Sequence, residues 1–151
     1  MEQLISELIF ETSGEGFIDI TSKIKDWIAS KKIKKGILII SMQHTSCSLT
    51  INENADPKVL KDLSAYMKAL VPEEGFTSIN GQGKKEKYLH SEEGLDDMPA
   101  HIRTMLTCSN LSLSINEGKL LLGTWQAIYL WEHRYARNSR KISLHSICDV
   151  S

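Results

Sequence analysis

The sequence predicts an α+β fold, one compact domain with a central, mostly antiparallel, sandwich-like β-sheet and about three helices. Three observations predict it. Apolar periodicity switches between two residues and helical spacing along the chain, so strand and helix patterns are interleaved. Strand patterns predominate, and Asn116-Glu117-Gly118 joins two of them as a hairpin. The chain has 151 residues, 41% hydrophobic and 25% charged, which suits a single domain over 1–151. A chain of this length buries roughly two-thirds of its unfolded surface and needs no staples to hold a core.

Leu4 to Phe10 read as the first strand. Ser13-Gly14-Glu15-Gly16 is a turn that uses the backbone freedom of its glycines. Thr21 or Ser22 caps a short helix in which Ile24, Trp27 and Ile28 share one face. Lys31, Lys32, Lys34 and Lys35 form its solvated end, where the helix dipole favours positive charge. Gly36 ends that segment, and Ile37-Leu38-Ile39-Ile40 opens a buried strand. Asp56 caps a second helix and Pro57 occupies its first position. Val59, Leu60, Leu63, Met67 and Leu70 repeat at helical spacing until Val71-Pro72-Glu73-Glu74-Gly75 stops the helix. Residues 76–96 are mostly loop, and a loop this long in a compact domain is often functional. A third helix starts near Asp97, carries Pro99 in its first turn and runs to about Thr107. Its apolar stripe is Met98, Ile102, Met105 and Leu106. Leu111 to Ile115 is a strand, Lys119 to Glu132 a long bulged one, and Lys141 to Val150 the last.

Composition narrows the function. Lys and Arg number 18 against 19 Asp and Glu, a net charge of −1 without the basic excess of a nucleic-acid binder. No apolar run approaches the ~20 residues that span a bilayer. The N-terminus lacks a basic flank and a cleavage site, so a cytoplasmic location is expected. Cys47, Cys108 and Cys148 are odd in number and match no zinc-knuckle or redox spacing, which suits reduced thiols.

Candidate chemistry falls in three places. If residues 44–52 are extended, Thr45, Cys47, Leu49 and Ile51 share a core face, and His44, Ser46, Ser48, Thr50 and Asn52 share a polar one. That polar face is either ordinary solvent-exposed sheet or part of a site. The corner that follows, Asn52-Glu53-Asn54-Ala55-Asp56, groups side chains suited to a ligand, although Asp56 already has a capping task. On the third helix, His101 lies beside the buried edge with Asp97 four residues earlier, within reach. A carboxylate behind an imidazole fixes a metal-binding or catalytic tautomer. It equally satisfies a half-buried structural histidine. Gln126 and Glu132 sit among apolar residues of the long strand and need partners, either in catalysis or as glue at an interface. His44, His90 and His101 can converge on a metal, but no HxH or HExxH pair fixes two of them locally. Gly81-Gln82-Gly83-Lys84-Lys85 lacks the spacing of a P-loop. Trp125, Tyr129 and Trp131 on one strand predict an apolar surface that a partner subunit covers.

Three stretches carry a family resemblance. They are His44-Thr45-Ser46-Cys47-Ser48-Leu49-Thr50-Ile51-Asn52-Glu53-Asn54-Ala55-Asp56-Pro57, Tyr88-Leu89-His90-Ser91-Glu92-Glu93-Gly94-Leu95-Asp96-Asp97-Met98-Pro99-Ala100-His101-Ile102, and Gly123-Thr124-Trp125-Gln126-Ala127-Ile128-Tyr129-Leu130-Trp131-Glu132-His133-Arg134. Together they resemble the YjbQ-type family, described as secondary thiamine-phosphate synthases, in order from about residue 5 to 149. Ala127 stands where members often have Gly. The resemblance implies a homotrimer with a polar pocket, and a divalent metal, zinc or magnesium, on His44, His90 and His101. It implies Asn54, Asp56, Gln126 and Glu132 as pocket residues. His101 is the candidate general base, and Arg134 a candidate cation. The implied activity joins a pyrimidine pyrophosphate to a thiazole phosphate and releases pyrophosphate. That departure needs its negative charge neutralised, by a metal ion or by cations such as Arg103, Arg134, Lys84, Lys85 and Lys87. A metal-dependent hydrolase or a non-catalytic metal- or anion-binding module would use the same groups.

Overall fold

The computed structural model describes all residues, Met1–Ser151. It is a single α+β domain of ten strands and three helices. In chain order these are β1 (Glu2–Thr12), β2 (Gly16–Asp19), α1 (Thr21–Ser30), β3 (Ile33–Met42), β4 (Cys47–Glu53), α2 (Pro57–Leu70), β5 (Phe76–Thr77), β6 (Lys85–Glu86), α3 (Asp97–Leu106), β7 (Asn110–Asn116), β8 (Lys119–Leu120), β9 (Gln126–Glu132) and β10 (Asn138–Val150). One sheet has the order β1-β10-β3-β7-β8, a second β2-β9-β4, and β5-β6 is a small ribbon. Every pairing is antiparallel. No helix is long and apolar enough to cross a membrane.

The core lies between the two larger sheets and α1. Strand alternation builds it: Leu38 and Ile40 of β3, Leu113 and Ile115 of β7, and Ile142 and Leu144 of β10 point inward. They meet Cys47 and Leu49 of β4, Ile128 and Leu130 of β9, and Ile24, Trp27 and Ile28 of α1. The run Ile37 to Ile40 is thus only half buried, since Ile37 and Ile39 face outward and are exposed. On the other face of β9, Tyr129 and Trp131 are buried against Phe17, whose ring stacks on Trp131 with centroids 4.3 Å apart. The trimer expectation built on these aromatics therefore keeps only Trp125, which is exposed.

Several expected boundaries differ. The long strand 119–132 is two strands in different sheets. The chain leaves β7 after Leu120 and turns at Gly123, whose N–H donates to Gln126 Oε1 at 2.7 Å, before joining β4. Neither Thr21 nor Ser22 caps α1. Asp19 Oδ1 accepts the Thr21 N–H at 2.9 Å, and the Thr21 hydroxyl accepts the Ile128 N–H, tying the helix to β9. Lys34 and Lys35 belong to β3 rather than a helix end, and Gly36 lies inside the strand. A Cβ there would come within 2.3 Å of the Ile147 carbonyl oxygen, so the close approach of β10 demands glycine. Met105 and Leu106 of α3 are exposed, whereas Asp97, Pro99, Ala100 and Arg103 are buried. This helix packs a partly charged face inward, which apolar periodicity cannot reveal.

Candidate metal centre

The first turn of α3 carries Asp97, and His101, one turn later, reaches the Thr45 carbonyl just before β4. Asp97 is 1% exposed, and every neighbour of its carboxylate is a nitrogen. Its Oδ2 lies 2.7 Å from His90 Nε2, and its Oδ1 lies 3.5 Å from His101 Nε2. Donor atoms of His90, Asp97 and His101 all fall within 4.8 Å of one another. Arg134, just past β9, shares Asp97 Oδ1 with His101. Its Nη1 donates to Asp97 Oδ1, its Nε to Asp96 Oδ2 at 3.0 Å and its Nη2 to the Glu93 carbonyl at 2.8 Å. Arg134 is thus engaged in fixing α3 and the loop before it. Burial pushes the Asp96 carboxyl up, but the Tyr135 N–H and the Arg134 guanidinium outweigh burial and hold it below the ordinary range.

The tautomer of His101 follows from its other nitrogen. Nδ1 lies 2.9 Å from the Thr45 carbonyl oxygen, which can only accept, so Nδ1 carries the proton. In the neutral ring Nε2 then offers its lone pair on the side of Asp97 Oδ1, 3.5 Å away, and in the imidazolium it donates a proton there. A proton or a metal ion therefore satisfies the pair. Two imidazole nitrogens and one carboxylate oxygen suit zinc or a similar borderline ion, whereas magnesium prefers oxygen ligands and retained water. A backbone carbonyl on the distal ring nitrogen is the usual support for a ligating histidine. The side chains present therefore fit the divalent ion.

His44 is not among these converging donors. It sits at the exposed corner before β4, and its Nδ1 accepts from the Ser46 N–H at 3.1 Å and meets Ser46 Oγ at 3.0 Å. Burial, then the charge of Arg140, holds its pKa below the usual histidine value. Behind it, Arg140 Nη2 donates to Ser46 Oγ at 3.0 Å, and Arg140 forms a two-pronged ion pair with Glu132. Both partners are buried, and the Thr12 hydroxyl donates to Glu132 Oε2 at 2.8 Å. Burial pushes the Glu132 carboxyl up, but hydrogen bonds from Arg140, the Arg134 N–H and Thr12 hold it below its ordinary value. The polar face expected at 44–52 is therefore largely internal: Ser46 and Ser48 are buried, as are Cys47 and Leu49 opposite them. The three thiols are unpaired, and burial, then the Glu132 charge, pushes Cys47 up to about 12.

His133 shows the same inward polarity. It is fully buried and exchanges a 2.8 Å hydrogen bond with Ser48 Oγ. Burial, then the charge of Arg103, pushes its pKa down to about 3. Between pH 3 and 6.5 the unfolded histidine binds a proton that the folded one refuses, so stability falls as pH drops through that window. The expected contribution is about 1.4 kcal/mol per pH unit below 6.5. His133→Gln should flatten the slope of unfolding free energy against pH by close to that amount between about pH 4 and 5.5, and by little at pH 7. An unchanged slope would show that His133 titrates normally.

The remaining candidates lie elsewhere. Cys47 pairs with Glu132 and Glu53 with Gln126, so Gln126 stands six residues along the ladder from Glu132, about 20 Å, and Asn54 one residue further. Within one chain they do not share a cavity with His101. Asn54 and Gln126 instead line a cavity of about 560 Å³ with Thr21, Lys25 and Thr124. Asp56 caps α2, its Oδ1 accepting the Lys58 N–H at 2.9 Å. Asp56→Ala should cost about 1 kcal/mol in urea unfolding, the usual worth of an N-cap. A loss of activity at unchanged stability would instead assign Asp56 to the site. Arg103 is buried and donates to the Val71 carbonyl at 2.8 Å, so it is no surface cation, whereas Lys84, Lys85 and Lys87 are exposed.

Arg140 and Thr12 escaped the sequence reading, although a signal existed for Arg140. Arg140 is in phase with Ile142, Leu144, Ser146 and Cys148, all buried on β10. An inward-phased arginine implies a buried counter-charge, and Glu132 supplies it.

The fold and site define an α+β protein in which two partly exposed imidazoles meet one buried carboxylate beside the edge strand β4. A family model described as UPF0047 protein YjbQ-like matches residues 6–149, and the chain belongs to that family. It is 43% identical over 138 residues to UPF0047 protein sll1880 of Synechocystis, covering 91% of this chain and 87% of that one. It is 37% identical over 136 residues to UPF0047 protein YjbQ of Escherichia coli O157:H7, covering 89% and 91%. A crystal structure of an uncharacterized conserved YjbQ/UPF0047 family protein from Clostridium acetobutylicum superposes with a TM-score of 0.80 at 34% identity, covering 94% of this chain and 99% of that one.

Proposed function

We propose that this protein is a metal-dependent enzyme acting on small phosphorylated molecules, with thiamine phosphate formation from a pyrimidine pyrophosphate and a thiazole phosphate among its reactions. The observation that carries the reading is the convergence of His90, Asp97 and His101, with His101 Nδ1 held by the Thr45 carbonyl so that Nε2 is turned to Asp97. His90, Asp97 and His101 would hold the ion, with zinc favoured by the donor set. The ion, when bound, supplies positive charge where pyrophosphate departs. Arg134 positions Asp97, and the buried Glu132–Arg140 pair supports the His44 corner.

A second reading, a metal-dependent hydrolase, is favoured by the exposure of His90. Three protein donors open to solvent on one side suit a catalytic zinc site with a free position. One experiment separates the readings. The protein is loaded with zinc or magnesium, and pyrophosphate release is followed with each substrate alone and with both together. Release that requires both supports the synthase, and release from the pyrimidine pyrophosphate alone supports the hydrolase. A protein that takes up no metal and releases nothing would be a non-catalytic module.

We also propose a homotrimer in the cytoplasm. On the outer face of the five-stranded sheet, Ile5 and Ile39 flank His145, and Ile37 pairs with Ile147. All four isoleucines are exposed, forming an apolar patch of the kind that partner subunits cover. Light scattering should give about three times the 17.0 kDa chain mass. A monomer at dilute concentration would contradict the assembly.

A further inference from the structure

We infer that His44 is a neutral hydrogen-bond donor, through Nε2–H, to an anionic oxygen of a phosphate-class ligand beside the His90–Asp97–His101 cluster, and not a ligand of the ion. The phosphate class rests on the function proposed above. The donor state rests on the geometry alone.

The Ser46 backbone N–H is an obligatory donor, and it points at His44 Nδ1 from 3.1 Å. Nδ1 must therefore offer a lone pair, which leaves the single proton of the neutral ring on Nε2. Ser46 Oγ reinforces this state. Its lone pair accepts from Arg140 Nη2 at 3.0 Å, so its own proton is free to donate to Nδ1, also at 3.0 Å. Arg140 is locked in turn by Glu132. Donation thus runs outward from Arg140 to Ser46 to His44, while Arg140 also donates to Glu132.

Ligation fails from either nitrogen. Coordination through Nε2 requires the proton on Nδ1, where it would oppose the Ser46 N–H. Coordination through Nδ1 would displace both Ser46 donors. His101 is set the opposite way by the adjacent residue, because the Thr45 carbonyl demands a proton on its Nδ1. A single corner, Thr45-Ser46, thus prepares one imidazole as an acceptor for a cation and the other as a donor. The His44 ring lies at the exposed rim of that corner, so its Nε2–H is available to a bound oxygen.

Long-range proton–nitrogen correlation of the imidazole rings in ¹⁵N-labelled protein tests the assignment directly. Expected is His44 protonated on Nε2 with and without zinc, and His101 protonated on Nδ1, with zinc shifting the ring nitrogens of His90 and His101. A proton on His44 Nδ1, or a His44 nitrogen that moves with zinc as His101 does, would overturn the inference. Binding supplies a second readout. Zinc-loaded His44→Ala should keep its zinc and bind inorganic phosphate about 10-fold more weakly, the scale of one hydrogen bond. His44→Gln, whose terminal amide can donate from a similar position, should recover part of that loss. Loss of zinc in His44→Ala, or phosphate affinity equal to the unaltered protein, would reject the role. If the unaltered protein takes up no zinc, the metal reading fails on its own. The ring-nitrogen pattern and phosphate titration of the metal-free protein then decide the role of His44.

Discussion

Glu132→Ala is expected to cost about 3–5 kcal/mol of folding stability, because it strands the Arg140 guanidinium in the interior. Arg140 is 2% exposed, and its other hydrogen bond goes to Ser46 Oγ. The loss measures an abandoned charge rather than the worth of the pair, since desolvating both ions consumes most of their attraction. Removing both charges should therefore hurt less than removing one. The double change Glu132→Leu with Arg140→Met is expected to be more stable than Glu132→Ala alone. Urea unfolding at fixed protein concentration checks both, with the slope confirming that the same surface is exposed. A loss below about 1 kcal/mol for Glu132→Ala would mean that water reaches Arg140 and that the pair is not a closed interior one. Glu132 was a catalytic candidate in the sequence. Buried between Thr12, Arg140 and the Arg134 N–H, it stands three hydrogen bonds from His44, through Arg140 and Ser46.

The fold was legible wherever local chemistry agreed with tertiary packing. Asp56-Pro57 marks the start of α2 because a capping carboxylate and a proline need nothing beyond the chain itself. The same holds for the hairpin at Asn116-Glu117-Gly118, where Glu117 and Gly118 both take positive φ. The pattern of 119–132 merges two strands into one because the break between them is tertiary. Nothing in Leu121 to Trp125 is strongly strand-breaking except Gly123, and the change of sheet follows from which neighbour each half pairs with. The stripe of α3 failed for a related reason. Period counting assigns apolar residues to the interior, yet here the interior receives Asp97 and Arg103. Of the site, the pairing of Asp97 with His101 was readable from their spacing of four. That His90 arrives on the other carboxylate oxygen depends on the path of a long loop, which no local pattern encodes.

His101→Ala should lower zinc affinity at least ~100-fold while leaving the metal-free fold nearly intact. The stability side is small because the ring is only half buried and its sole firm hydrogen bond is the one to Thr45, worth about 1 kcal/mol. The binding side is large because Nε2 is the ring nitrogen turned to Asp97 and left without a backbone partner. His101→Asn sharpens the test. Its side-chain amide can still donate to the Thr45 carbonyl, but nothing replaces the distal nitrogen. It should therefore match the unaltered metal-free protein in thermal midpoint and match His101→Ala in failing to hold zinc. A ligand that binds only the folded state raises the midpoint, so zinc should stabilise the unaltered protein and neither variant. Thermal midpoints with and without zinc, metal content and turnover are measured on one preparation of each protein. A large fall in the metal-free midpoint with normal zinc content and normal turnover per folded molecule would make His101 a packing residue. The approach of its Nε2 to Asp97 would then be a structural contact without a task.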